Sequence, residues 1–105
     1  MIKKITNPAM LNSLLKDNNK VIAQFTAAWC GPCREIKPHL EDFSKQYTDV
    51  QIASIDIDEY PDLAEKYGIM SIPTFVAFVN EKETDTLIGA NPKAVQQFID
   101  KLIKG

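Results

Sequence analysis

The chain has two cysteines, and both lie in one short stretch, Trp29-Cys30-Gly31-Pro32-Cys33. With Cys30 at the start of a helix, Cys33 follows one turn later on the same side, because residues three apart are neighbours on a helix surface. Their sulfurs can then join and separate locally, within the geometry a disulfide requires. Closing so short a loop constrains the unfolded chain by only about 2 kcal/mol, so the bond can cycle without unfolding the protein. The helix start also divides the labour. Cys30 faces the free amides and positive dipole end, which favour a thiolate, whereas Cys33, expected to lie deeper, keeps its proton longer. A thiol titrating near pH 7 in place of about 8.5 carries roughly 15-fold more thiolate at pH 7 and loses roughly 5-fold in intrinsic nucleophilicity. The net gain is small. Most of the rate must come from docking of the target and from Cys33 waiting at high effective concentration.

The competing chemistry for a Cys-x-x-Cys is half a zinc site. Zinc takes four ligands, and His39 is the single histidine, so a Cys2His-plus-carboxylate set is the arrangement the residue types leave open. The strand-then-helix setting favours a redox pair. His39, among charged neighbours on a helix, reads as a solvated surface residue, and no metal is expected. Trp29 alone would read as core; beside a nucleophile it reads as a flat, partly exposed platform at the mouth of a site.

Such a site needs a scaffold, and the composition allows one. The 105 residues are 45% hydrophobic and 25% charged, as in one soluble globular domain spanning 1–105. Twelve basic residues face fourteen acidic ones with no basic patch, which argues against nucleic acid as a partner. The longest apolar run, Phe75-Val76-Ala77-Phe78-Val79, is far short of a membrane span, so no membrane is expected. Met1 to Pro8 carries charge but no apolar core of a secretion signal, and the expected location is cytoplasmic.

The elements follow one another with tight punctuation. Ile2–Ile5 reads as a first strand. Asn7-Pro8 reads as a helix cap followed by proline at the first helical position, and Met10, Leu11, Leu14 and Leu15 form one apolar stripe. Val21–Ala28 is apolar on both alternating faces, as in a central strand, with Gln24 the odd residue inside it. A longer helix after Cys30 is marked by Ile36, Leu40, Phe43 and Tyr47, with Pro38 expected to kink it. Val50–Ile57 reads as a strand, Pro61–Tyr67 as a short helix ended by Gly68, Thr74–Val79 as a strand, and Thr86–Ile88 as its antiparallel partner. Asn91-Pro92 opens a last helix whose Val95, Phe98, Ile99, Leu102 and Ile103 make one core face. This order argues for an α/β sheet covered by helices and closed by a hairpin.

The chain resembles the thioredoxin family from Ile2 to Leu102. The resemblance is carried by Trp29-Cys30-Gly31-Pro32-Cys33, Pro38, Tyr67-Gly68-Ile69, Ile72-Pro73-Thr74 and Gly89-Ala90. It implies an α/β thioredoxin fold, a five-stranded mixed sheet flanked by four helices, with the last two strands antiparallel to the first three. It implies a redox-active Cys30–Cys33 disulfide with no bound cofactor, Cys30 as nucleophile and Cys33 as resolving thiol. Ile72-Pro73 would be a cis peptide against the sulfurs. An extended client segment would dock on Ile72, with Trp29, Gly31, Pro32, Pro73, Gly89 and Ala90 as its rim. The implied partners are disulfide-bearing client proteins and an NADPH-dependent thioredoxin reductase, with the chain itself a monomer.

Three departures stand out. The family usually has a buried Asp at the position of Gln24, thought to take the proton of the resolving thiol, and many members pair it with a Lys at the position of Ser54. Two neutral groups therefore replace an acid–base pair, which avoids burying charge but leaves the resolving step without its usual base. The turn Asn80-Glu81-Lys82-Glu83 lacks the family's common glycine, so a longer or less regular turn is expected. Asp58 aligns with a residue that accepts the tryptophan N–H in some members; an exposed acid or helix cap is the equal alternative. The function implied is reduction of client disulfides. A disulfide oxidase or isomerase, and a binding module with incidental redox chemistry, are the alternatives.

Overall fold

The computed structural model describes all 105 residues, in the order β1 (Lys3–Lys4), α1 (Pro8–Asp17), β2 (Lys20–Thr26), α2 (Gly31–Gln46), β3 (Gln51–Asp56), α3 (Pro61–Lys66), β4 (Thr74–Val79), β5 (Lys82–Ile88) and α4 (Pro92–Lys104). One sheet runs β1-β3-β2-β4-β5. β2 lies at its centre with β4 beside it, the two strands buried along both faces, since both faces of each must be covered.

Residues alternate between the faces of a strand, so the register sorts the core into two layers. Ile22, Ile52, Phe75 and Ala77 pack under α2 and α4, against Ile36, Leu40, Val95 and Ile99. Val21, Ala23, Phe25, Ala53, Ile55, Val76 and Phe78 pack on the opposite face against Leu11 and Leu15 of α1 and Leu63 of α3. The helix signals take effect as read: Asn7 accepts from the Met10 N–H at 2.9 Å and Asn91 from the Ala94 N–H at 3.0 Å. Gly68, at φ +66°, closes α3 in a Schellman turn, with its own N–H on the Glu65 carbonyl and the Ile69 N–H on the Ala64 carbonyl. Helix α2 continues through Pro38 to Gln46.

The sheet corrects three expectations. First, β4 is antiparallel to both β2 and β5, while β1, β3 and β2 are mutually parallel. Only β4 therefore opposes the rest; β5 runs with the first three, because two strands joined by a hairpin must oppose each other. Second, β5 begins at Lys82 rather than Thr86. Its first residues are charged and solvated at a sheet edge, so no apolar alternation announces them. Third, the turn is not long. Val79 pairs with Lys82 across the two residues Asn80 (φ 50°) and Glu81 (φ 73°), the two positive angles of a type I′ turn. The irregularity sits inside the ladder instead: Ala77 opposes Asp85 and Phe78 opposes Glu83, leaving Thr84 as a bulge whose hydroxyl donates to the Ala77 carbonyl at 3.3 Å.

Glu81 holds a left-handed conformation that costs a side-chain-bearing residue about 1–2 kcal/mol, against about 0.5–1 kcal/mol for the greater unfolded freedom of glycine. Glu81→Gly is therefore expected to raise the melting temperature by about 3–5 °C in a thermal unfolding curve. An unchanged or lower midpoint would contradict this.

Candidate active site

The end of β2 feeds the site. After Thr26 the chain leaves the sheet through Ala27 and Ala28, and the Cys30 N–H bonds back to the Ala27 carbonyl at 3.2 Å. Cys30 is the N-cap of α2, its sulfur accepting the Cys33 N–H at 3.2 Å, with Gly31 and Pro32 as the first two helical residues. A sulfur at a cap receives an amide that no carbonyl can satisfy, and that hydrogen bond favours negative charge there. Cys30 and Cys33 are joined as a disulfide with Cα atoms 5.3 Å apart.

Whole-residue burial is nearly the same for the two cysteines. Cys30 is 4% exposed and Cys33 3%, because Ala27, Ile57 and Ile72 pack around both. Position separates them. Cys30 lies at the cap, whereas Cys33 lies inside the first turn and lines a cleft of about 490 Å³ on the α2 side of the sheet.

The surrounding residues converge on this pair. Trp29 is 65% exposed and donates its indole N–H to Asp58 at 2.8 Å, which decides between the two readings of Asp58. Asp58 is held in turn, since one Asp56 carboxylate oxygen accepts the Asp58 and Glu59 N–H groups at 2.8 and 3.3 Å. The Ile72-Pro73 peptide is cis, and Ile72 packs against the cysteines. The Thr74 hydroxyl donates to the Ser71 carbonyl at 2.6 Å, closing the segment that carries Pro73. Gly89 donates its N–H to the Pro73 carbonyl at 2.9 Å and sits at φ +113°, which a side chain resists, although a Cβ there would meet only open space. Ala90 is half-buried and packs in part against the core under α2 and α4. His39 lies on the exposed side of α2, and no group of three or more His, Cys, Asp or Glu side chains is placed to hold a metal ion.

Gln24 and Ser54 are register partners on the α2 face, one step beyond the apolar pair Ile22 and Ile52. Both line the cleft that reaches Cys33. Thr26 and Asp56 continue the same rows and line it too; the period of two along β2 and β3 was the signal that could have found them. Met70, 97% exposed, and Ile88 were likewise missed as solvent-facing apolar residues near this end of the sheet, because burial in loops and edge strands has no sequence period.

Comparison with known proteins sets this geometry in context. The thioredoxin family model matches residues 2–101. Thioredoxin 1 of Plasmodium falciparum is 43% identical over 101 residues, covering 96% of this chain and 97% of its own. The mitochondrial thioredoxin-3 of Saccharomyces cerevisiae is 39% identical, covering 96% and 80%. The solution structure of oxidised Plasmodium falciparum thioredoxin superposes with a TM-score of 0.90 at 40% identity, covering 96% and 97%. Sequence, sheet order and a capping disulfide thus agree along nearly the whole length: the chain belongs to the thioredoxin family, and its Cys30–Cys33 pair is that of a dithiol–disulfide oxidoreductase.

Proposed function

We propose that the chain works in the reducing direction, as a carrier of electrons to disulfides of client proteins. The observation that carries this is the disulfide closed across the N-cap of α2, with Cys30 accepting an amide N–H. In the reduced form the Cys30 thiolate attacks a client disulfide, giving a mixed disulfide and a client thiolate. Cys33 then attacks the Cys30 sulfur, re-forming the Cys30–Cys33 bond and releasing the client reduced. Trp29, Gly31, Pro32, Ile72, Pro73, Gly89 and Ala90 would offer the client an apolar seat, supported by the packing of Ile72 on the cysteines and by the open space over Gly89. Recharging would fall to an NADPH-fed thioredoxin reductase, with the chain acting as a monomer in the cytoplasm.

The test is equilibration of Cys30–Cys33 with dithiothreitol buffers, followed by Trp29 fluorescence. A potential near about −270 mV, the value typical of thioredoxins, supports an electron donor. A value above about −200 mV would instead favour an oxidase or isomerase. A Cys30→Ser variant that kept its full biological activity would favour a binding module. The neutral Gln24 carries its own prediction. Gln24→Asp is expected to speed mixed-disulfide resolution at neutral pH by about tenfold, less than the roughly 10²–10⁴-fold of a fully effective general base. Equal resolution rates across the pH range, measured by stopped flow, would refute it.

A further inference from the structure

We infer that Asp56 is the positioning carboxylate that receives the Cys33 proton, through water standing in the cleft on the α2 side of the sheet. The inference rests on the dithiol–disulfide reading above. In the resolving step Cys33 must lose a proton before its sulfur can attack, and Gln24 cannot take it.

The sheet register shows where a base has gone. Along β2 the α2 face reads Ile22, Gln24, Thr26; along β3 it reads Ile52, Ser54, Asp56, with each pair in register. The apolar core therefore gives way to a polar patch toward the strand ends that lead into the cysteine loop. Lys4 of β1 extends the patch, as the register partner of Ser54. Gln24 is 5% exposed and bonds to no protein group, yet no buried side-chain nitrogen or oxygen lacks a partner; its amide must open onto the cleft. A volume of about 490 Å³ has room for several waters at about 30 Å³ each.

The charged side chains lining the cleft are Lys4 from β1, Arg34, Lys37 and Glu41 from α2, and Asp56 from β3; Asp58 and Glu59 follow Asp56 in the turn after β3. Two of the lining groups are carboxylates. Glu41 lies eight residues along α2 from Cys33, roughly 12 Å at the rise of a helix. Asp56 is in register with Thr26, one residue before the Ala27-Ala28 segment that walls the same cleft. One Asp56 oxygen holds the turn through the Asp58 and Glu59 N–H groups; the other makes no hydrogen bond to protein.

In the step itself, the Cys33 proton passes through water to the Asp56 carboxylate as the Cys33 sulfur attacks Cys30. The Cys30–Cys33 bond forms, the Cys30–client bond breaks, and its electron pair leaves on the client sulfur, which departs as a thiolate. Asp56 then returns the proton to solvent.

The test uses the whole reduced chain and dithiobis(nitrobenzoate), whose coloured thiolate is released once on attack and once on resolution. Asp56→Asn keeps the turn-capping oxygen and removes the base. It is expected to slow the second release about tenfold at pH 7 while leaving the first within twofold. The pH profile is decisive. With a fixed base as acceptor the resolution rate changes little around neutral pH; with hydroxide as acceptor it falls about tenfold for each unit the pH is lowered, so the variant should rejoin wild type only in alkali. A combined Gln24→Asp, Asp56→Asn variant should recover the level profile. A second release unchanged by Asp56→Asn, or a profile merely displaced in parallel to wild type, would overturn the inference. Absence of the first release in wild type would overturn the oxidoreductase reading, and this inference with it.

Discussion

Cys33→Ser is expected to leave the first attack on a client disulfide intact and to stop the reaction at the mixed disulfide. Cys30 keeps its place at the cap and can keep the amide of residue 33, since serine has the same backbone N–H. What disappears is the second sulfur, one turn into α2. Well-oriented intramolecular groups reach effective concentrations up to about 10⁵–10⁸ M. Even an effective concentration of about 1 M exceeds a millimolar external thiol about 10³-fold, so turnover should fall by about 10³ or more. The adduct should persist and be visible as a mass increase equal to the client, and added dithiothreitol should release it. Full turnover by Cys33→Ser would mean that resolution comes from outside the chain. No adduct at all would remove Cys30 from the role of nucleophile.

The largest effect on stability is expected from Phe25→Ala. Phe25 is fully buried on the central strand, its ring 5.9 Å from that of Tyr67, which in turn meets Phe78 edge-on at 5.6 Å. Removing the ring deletes apolar contact in the layer under α1 and α3 and leaves a cavity flanked by strands that cannot close together. Such truncations cost about 3–5 kcal/mol. For a domain of this size that corresponds to a fall in melting temperature of about 15–20 °C. A fall below about 5 °C would mean that the layer collapses to fill the space. Trp29 fluorescence of the folded fraction should not move, because Phe25 faces away from the cleft side.

The sequence was most readable where a local signal has one physical outcome. Asn-Pro before an apolar stripe can only begin a helix, and Gly68 between Tyr67 and Ile69 can only supply the left-handed residue that ends one. The cysteines were readable because their spacing fits one turn. The resemblance to a known family added the cis Ile72-Pro73 peptide as an expectation and the Trp29–Asp58 contact as one of two equal readings, which no periodicity would have supplied. Failures came where outcome depends on neighbours. Glu81 adopts a positive φ because the twist of β4 and β5 selects a two-residue turn, overriding its own preference. The start of β5 was hidden because edge strands carry charge, which reads as loop. The near-equal burial of Cys30 and Cys33 depends on Ile57 and Ile72, brought from distant parts of the chain. Asp56 became visible as part of the site only when β3 was set in register with β2.

The slight exposure of both cysteines separates how readily the pair gives up electrons from how readily anything can reach it. A reducing potential alone would let the dithiol discharge into any small disulfide in solution. With 4% and 3% of the two residues accessible, a small disulfide reacts only in the few orientations that bring it squarely onto the cap. In the docking proposed above, a client laid over Gly89 and against Ile72 would bring its own disulfide to the cap already aligned, where a freely diffusing molecule must find that alignment by chance. The fold thus works as insulation around a conductor: charge leaks slowly to small molecules and flows fast where a shaped contact closes the circuit.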